Sequence, residues 1–272
     1  MLLFPNCKMN LGLHILNKRE DGFHNLETVF YPVDLKDALE IIPSHHANTA
    51  IEFTSTGLVV DGNSDDNICI KAYHLLKKDF PELPAVKMHL HKAIPMGAGL
   101  GGGSADGAFT LQLLNTKFNL NLSTAQLLHY ALQLGSDCPF FIINKPCYAT
   151  GRGEILEEID LDLGKYKMVL INPGIHVNTG WAFSQLTPTL PQKSIAAIIA
   201  QPITTWRQEL QNDFEKPVFE KYPAIQKIKD TLYEQGAVYA AMSGSGSTVY
   251  GIFEKEIAAP HFAGANYFVK VI

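Results

Sequence analysis

Residues 95–105 read Pro95-Met96-Gly97-Ala98-Gly99-Leu100-Gly101-Gly102-Gly103-Ser104-Ala105, with five glycines in positions 97–103. Residues 86–91, just before, alternate apolar and polar side chains and predict a strand. The segment just after, through Ala108, Phe109, Leu111, Leu113 and Leu114, is apolar on nearly every side and predicts a buried helix. Glycine permits positive φ and lets a ligand come close to the main chain. A helix start behind such a loop offers unpaired N–H groups and a positive dipole end, and phosphate is the usual anion there. The bland alternative is a flexible connector, but connectors rarely run straight into a buried helix.

Three common phosphate loops do not fit. The letters G-x-G-x-x-G fall at Gly97, Gly99 and Gly102, yet residues 107–136 hold no Asp or Glu to take a dinucleotide ribose. A Walker A loop needs lysine after its last glycine, and here Gly102 is followed by Gly103 and Ser104. The H-R-D and D-F-G signatures of protein kinases are missing as well.

Outward from the loop, strands are predicted at residues 8–16, 26–33 and 38–42, with Asp21-Gly22 as a turn between the first two, and at 51–53 and 58–60 around Gly57. Asp65 and Asp66 precede a helical run to Lys78, where acidic residues suit a first turn. Ser123 and Gln126 form a capping-box pattern for a helix to about residue 134, and Leu134-Gly135-Ser136-Asp137-Cys138-Pro139-Phe140-Phe141 reads as a helix-to-strand junction. In the second half a strand is predicted at 168–172 and helices at 179–185, 195–199 and 225–233. Strands at 237–242 and 248–253 flank a tight glycine turn, Ser243-Gly244-Ser245-Gly246-Ser247, and a last strand covers 267–272. Polar turns between Tyr148 and Tyr166 suggest a boundary, giving an α+β chain with domains 1–155 and 156–272.

Hydrophobic residues make up 46% and charged ones 18%, an ordinary globular balance. A net charge of -5 with no basic cluster argues against a nucleic-acid partner. Cys7, Cys69, Cys138 and Cys147 are scattered without a C-x-x-C pair, which predicts reduced, buried thiols and no zinc site. The start lacks a signal-peptide pattern and no apolar stretch reaches membrane-spanning length, so a soluble, cytoplasmic protein with no membrane partner is expected.

The loop resembles that of the GHMP kinases, whose pattern is Pro, a short spacer, then Gly-Leu-Gly-small-small-Ser. Lys8-Met9-Asn10-Leu11-Gly12-Leu13, the Asp21-Gly22-Phe23-His24-Asn25-Leu26-Glu27-Thr28 segment, Gly135-Ser136-Asp137-Cys138-Pro139 and the Ser243 turn are similar to members that phosphorylate 4-diphosphocytidyl-2-C-methylerythritol. The resemblance spans nearly the whole chain, in order. It implies an α+β fold of two domains, a ribosomal-S5-like ATP domain followed by a ferredoxin-like one. It implies ATP and Mg²⁺ as cofactors, a small-molecule substrate, and a monomer or weak homodimer.

The same resemblance distributes roles. Residues from Pro95 to Ala105 would cradle the ATP phosphates, with the Ser104 hydroxyl near Mg²⁺, and Asn67 and Lys92 would lie on the adenosine side. Asp137 would take or orient the acceptor proton, and Lys8 would keep that carboxylate ionised and offset charge on the moving phosphoryl group. Asn10 and His24 would meet the cytidine beside Phe23, which stands where the family often has Tyr, and Thr179 and Phe183 would line the far side. Taken singly, Asp137 reads as a helix-end carboxylate, Lys8 as a solvated lysine and His24 as a loop residue. Two rivals remain: a GHMP kinase for homoserine or a mevalonate, which Asp21-Gly22-Phe23-His24 opposes, and a non-catalytic ribosomal-type module, which the acidic balance opposes.

Overall fold

Apolar residues alternate along the stretch that begins at Cys7 (Cys7, Met9, Leu11, Leu13, Ile15), and in the computed structural model it becomes the long strand β2 (Asn6–Lys18), buried over its first ten residues. The structure describes residues 1–44, 50–59, 66–258, 260–262 and 267–272; the expected strand residue Val60 and the acidic Asp65 lie outside them. β1 (Leu2–Leu3) precedes β2, and β3 (His24–Lys36) follows the predicted turn. There Gly22 takes φ +84°, and the Asp21 carboxylate accepts the Phe23 N–H at 3.1 Å.

The chain continues through β4 (Ala38–Pro43), β5 (Ile51–Gly57), α1 (Ile68–Asp79), β6 (Val86–Lys92), α2 (Gly102–Phe118), α3 (Thr124–Leu134) and α4 (Cys138–Ile143). After them come β7 (Cys147–Thr150), β8 (Ile155–Glu158), β9 (Tyr166–Asn172), α5 (Thr179–Ser184), α6 (Ile195–Ile199), α7 (Ile203–Glu209), α8 (Glu215–Lys221), α9 (Pro223–Glu234), β10 (Tyr239–Met242), β11 (Val249–Glu254) and β12 (Phe268–Val271). Among the described residues no helix is long and apolar enough to cross a membrane.

Two compact units result. One comprises Met1–Cys7, Asp34–Met96 and Gly101–Lys145; the other comprises Lys8–Val33, Gly97–Leu100 and Pro146–Ile272. This interleaving differs from the division at 155/156 expected above. The reason is sheet pairing: β3 bonds to β7 with Thr28 opposite Ala149 and Phe30 opposite Cys147, so an N-terminal hairpin joins the later part of the chain.

In the first unit the sheet order is β1-β4-β6-β5, with β5 parallel to β6 and β4 antiparallel to it. α2 is mostly buried from Ala105 to Leu114, as its largely apolar sequence there requires, and its last turn is more exposed. α3 opens on the predicted capping box: Ser123 accepts the Gln126 N–H and Gln126 accepts the Ser123 N–H. Three expectations are corrected. β5 is a single strand that ends at Gly57, because the main chain turns there at φ +83° and Leu58 bonds to the Lys92 carbonyl. Asp66 stands ahead of α1, and the cap is Asn67, which accepts the Cys69 N–H at 2.9 Å. The junction after Asp137 is helical: Pro139 fits the first turn, where an N–H would be unpaired anyway, and Asn144 closes the turn in the left-handed region.

The second unit holds the sheets β2-β3-β7-β8 and β10-β11-β9-β12. Its core gathers Leu13, Ile15, Val169, Ile171, Val249 and Phe253, all nearly without exposed surface. α8 is not expected from the sequence; Pro217 stands at its third helical position, where the missing N–H removes no helix bond.

Candidate active site

The glycine loop adopts the backbone its composition predicts. Gly97, Gly99 and Gly101 have φ of +60°, +78° and +68°, a region unfavourable to side-chain-bearing residues. A Cβ on Gly99 would lie 2.0 Å from the Ser243 carbonyl oxygen, and one on Gly102 would lie 2.8 Å from Ile94. Gly103 faces open space, and Gly101 precedes α2 as its cap residue with no side chain capping the first turn. A 17-residue helix whose start no side chain caps, behind a loop of left-handed glycines, suits phosphate. The loop fits the group expected there.

The Ser243 turn finds its place beside the first half of that loop. The Ser243 hydroxyl donates to the Gly99 carbonyl at 2.8 Å, and Thr248 N–H donates to the Ala98 carbonyl at 3.2 Å. Ala98 and Leu100 are buried while Met96 is exposed, so alternate side chains anchor the loop. Ser104, expected near Mg²⁺, bonds with Cys138, whose thiol burial pushes up to about 12 against that bond. Among the described residues no group of three or more His, Cys, Asp or Glu is placed to hold a metal.

Lys92 requires correction. Its side chain has 0% exposure and its ammonium pairs with Asp37 and with Asp106, the latter at 2.7 Å. Without exposed surface it cannot reach adenosine, and it serves as the counter-charge of a buried triad. Asp37 also accepts the Ala93 and Ile94 N–H groups at 2.6 and 2.9 Å. Burial pushes the Asp106 carboxyl up to about 7, with Lys92 opposing. Nothing local in sequence flags the triad, since residues 37, 92 and 106 meet only through the sheet and α2. Asn67, the other adenosine-side residue, is half-buried at the α1 cap.

In the second unit Lys8 is 4% exposed, and its ammonium donates to Asn10 Oδ1 at 2.6 Å and lies 4.7 Å over the Phe30 ring. Asn10 was expected on the cytidine. Its amide instead works inside the protein, bonding Lys8 at one end and Thr28 Oγ1 at 3.1 Å at the other. Two of the expected cytidine residues do come together: His24 stacks on Phe183 with centroids 4.9 Å apart and planes at 20°. Phe183 in turn meets Phe214 edge-on at 4.9 Å. Burial and then Lys18 lower the His24 pKa, favouring the neutral ring. Phe23 is 54% exposed with the Arg152 guanidinium 4.9 Å over it. Thr179 pairs with Ser245 at 3.1 Å. Asp137, in the first unit, stands half-buried at the start of α4, with no side-chain cap bond to that helix.

Comparison with known proteins agrees with this geometry. The GHMP kinases N terminal domain matches residues 67–145 and the GHMP kinases C terminal domain matches residues 194–266. A 4-diphosphocytidyl-2-C-methyl-D-erythritol kinase of Bacteroides fragilis is 52% identical over 256 residues, 94% of this chain and 93% of that one. The chain belongs to the 4-diphosphocytidyl-2-C-methyl-D-erythritol kinase family of GHMP kinases. The Bacteroides thetaiotaomicron member of this kinase family is also 52% identical, over 98% of both chains. A crystal structure of 4-(cytidine 5'-diphospho)-2C-methyl-D-erythritol kinase superposes with a TM-score of 0.77 at 30% identity, covering 93% of this chain and 90% of that one.

Proposed function

We propose that this chain transfers the γ-phosphoryl group of ATP to the 2-hydroxyl of 4-diphosphocytidyl-2-C-methyl-D-erythritol, yielding the 2-phosphate and ADP in the non-mevalonate route to isoprenoid precursors. The observation that carries it is identity of about half over nearly the full length to kinases of that name. The glycine loop supports the phosphate half of the reading, and the stacked His24–Phe183 pair supports an aromatic, base-bearing substrate.

Phosphoryl transfer asks a protein mainly for positioning and charge stabilisation. In this reading the main chain from Pro95 to Ala105 holds the triphosphate, and the carboxylate of Asp137 accepts the proton of the attacking hydroxyl. Lys8 offsets negative charge on the group in transit. Mg²⁺ bound with ATP would neutralise phosphate charge, and Ser104 would be the residue beside it, which suits a cation that keeps few protein ligands. We place the protein in the cytoplasm, as a monomer or weak homodimer.

The test is ADP release with the diphosphocytidyl substrate beside galactose, homoserine and mevalonate. The diphosphocytidyl substrate should be preferred by orders of magnitude. In the same assay Asp137→Asn should lower turnover by roughly 10²-fold or more with an unchanged melting temperature. Preference for another acceptor would refute the substrate, and near-normal turnover of the variant would remove Asp137 from the mechanism.

A further inference from the structure

Building on the assignment of Lys8 to the transferring phosphoryl group, we propose that Thr28 is a positioning residue: its hydroxyl sets the orientation of the Asn10 amide and, through it, the place of the Lys8 ammonium. Lys8 and Asn10 lie on β2 and Thr28 on β3, its neighbour in the sheet. Thr28 is fully buried, with 0% of its surface exposed.

The argument turns on one hydrogen atom. A threonine hydroxyl has a single proton to give. Thr28 gives it to the Gly12 carbonyl at 2.6 Å, and a carbonyl can only accept. Toward Asn10, therefore, the Thr28 oxygen is an acceptor and nothing else. It takes the Asn10 NH₂ group at 3.1 Å, which turns the amide oxygen toward Lys8, where it accepts from the ammonium at 2.6 Å. The flipped amide would set an NH₂ against an ammonium that can only donate, and would set a carbonyl against a hydroxyl whose proton is already committed. Both ends would then fail together.

The main chain leaves Asn10 no other freedom. Its N–H donates to the Ser243 hydroxyl at 3.1 Å and its carbonyl accepts from the Tyr250 hydroxyl at 2.9 Å. Lys8 N–H is likewise tied, to the Leu100 carbonyl at 2.9 Å. With the strand pinned on both sides of the side chain, the remaining variable is rotation of the Asn10 amide, which Thr28 holds at the NH₂ end while the oxygen faces Lys8 and, at 3.5 Å, the Ser243 hydroxyl. Nothing in the sequence flags this, because a threonine in an apolar strand is ordinary. The single-proton relay exists only once β2 and β3 are in register.

The experiment compares kcat and KM of the wild type, Thr28→Val, Thr28→Ser, Lys8→Met and the Lys8→Met/Thr28→Val double variant, each corrected for folded fraction by circular dichroism. Valine keeps the shape of threonine and removes the acceptor. Thr28→Val should lower kcat about tenfold, the equivalent of about 1.4 kcal/mol or one well-placed hydrogen bond, with KM for ATP within about threefold of wild type. Thr28→Ser should restore most of that loss, and valine should cost nothing further once Lys8 is already methionine. A purely structural threonine would lower the melting temperature without changing kcat per folded molecule, which overturns the proposal. So does a serine variant as slow as valine, or a double variant in which the two losses multiply. Lys8→Met with wild-type turnover would overturn the role of Lys8 and this proposal with it, whereas a crippled Lys8→Met beside a normal Thr28→Val overturns this proposal alone. If Thr28→Val does not fold, Thr28→Cys, similar in size and a poor acceptor, takes its place under the same criteria.

Discussion

Gly99→Ala adds one methyl group to the phosphate loop, and the structure says what that methyl meets. It would sit 2.0 Å from the Ser243 carbonyl oxygen, where real side chains do not come closer than 3.0 Å, so the two backbones must part by about 1 Å. The residue also has φ +78°, which costs alanine about 1–2 kcal/mol relative to glycine. Parting the segments strains the Ser243 hydroxyl bond to Gly99 and the Thr248 bond to Ala98, about 1 kcal/mol each. The sum is about 3–4 kcal/mol, or a fall in melting temperature of roughly 6–16 °C. A loop displaced by about 1 Å should also lower kcat/KM for ATP about 10²-fold. Thermal melts and ADP-release kinetics read the two effects. Gly103→Ala is the control, since its methyl enters open space within α2; it should leave the melting temperature unchanged or raise it by roughly 1–4 °C. A Gly99→Ala protein that melts within 2 °C or so of wild type and keeps kcat/KM within about threefold would refute the reasoning.

Above about pH 7, where Asp106 is ionised, Lys92→Met should destabilise the protein by about 3–5 kcal/mol, because it strands two buried carboxylates, and a melt within experimental error of wild type would contradict a structural triad. Asp106 offers a pH signature: its folded carboxyl holds a proton up to about pH 7, whereas the unfolded one releases it near 3.8. Wild-type stability should therefore fall as pH rises between those values, and Asp106→Asn should flatten that fall in melts recorded across the range. Phe183→Ala removes the ring stacked on His24 and should raise KM for the diphosphocytidyl substrate by roughly 5–150-fold, the equivalent of about 1–3 kcal/mol for one base–aromatic stack, while KM for ATP stays put. Equal changes in both KM values would argue against a substrate-side role.

Some of this was readable before any coordinates. The phosphate loop, the Asp21-Gly22 turn and the Ser123 capping box depend on neighbours within a few residues, and each formed where its letters stand. The order of motifs pointed to the right family of kinases. Misreadings arose where a local signal had two meanings. Cys138-Pro139-Phe140-Phe141 is apolar enough for a strand, but its proline suits a helix start, and Asp65-Asp66 looked like a first helical turn where Asn67 proved to be the cap.

What the chain alone determined, then, is the backbone chemistry of the loop and the kinds of residue carried to the site, because glycine φ preferences and helix caps act over three or four residues. Tertiary structure alone decided which polar groups meet. Sheet pairing moved the N-terminal hairpin into the second unit, turned Lys92 into the counter-charge for Asp37 and Asp106, and set Thr28 against Asn10. Those meetings depend on strand register and burial between residues far apart in sequence. A buried charge or a single shared proton has no meaning until its partners are in place.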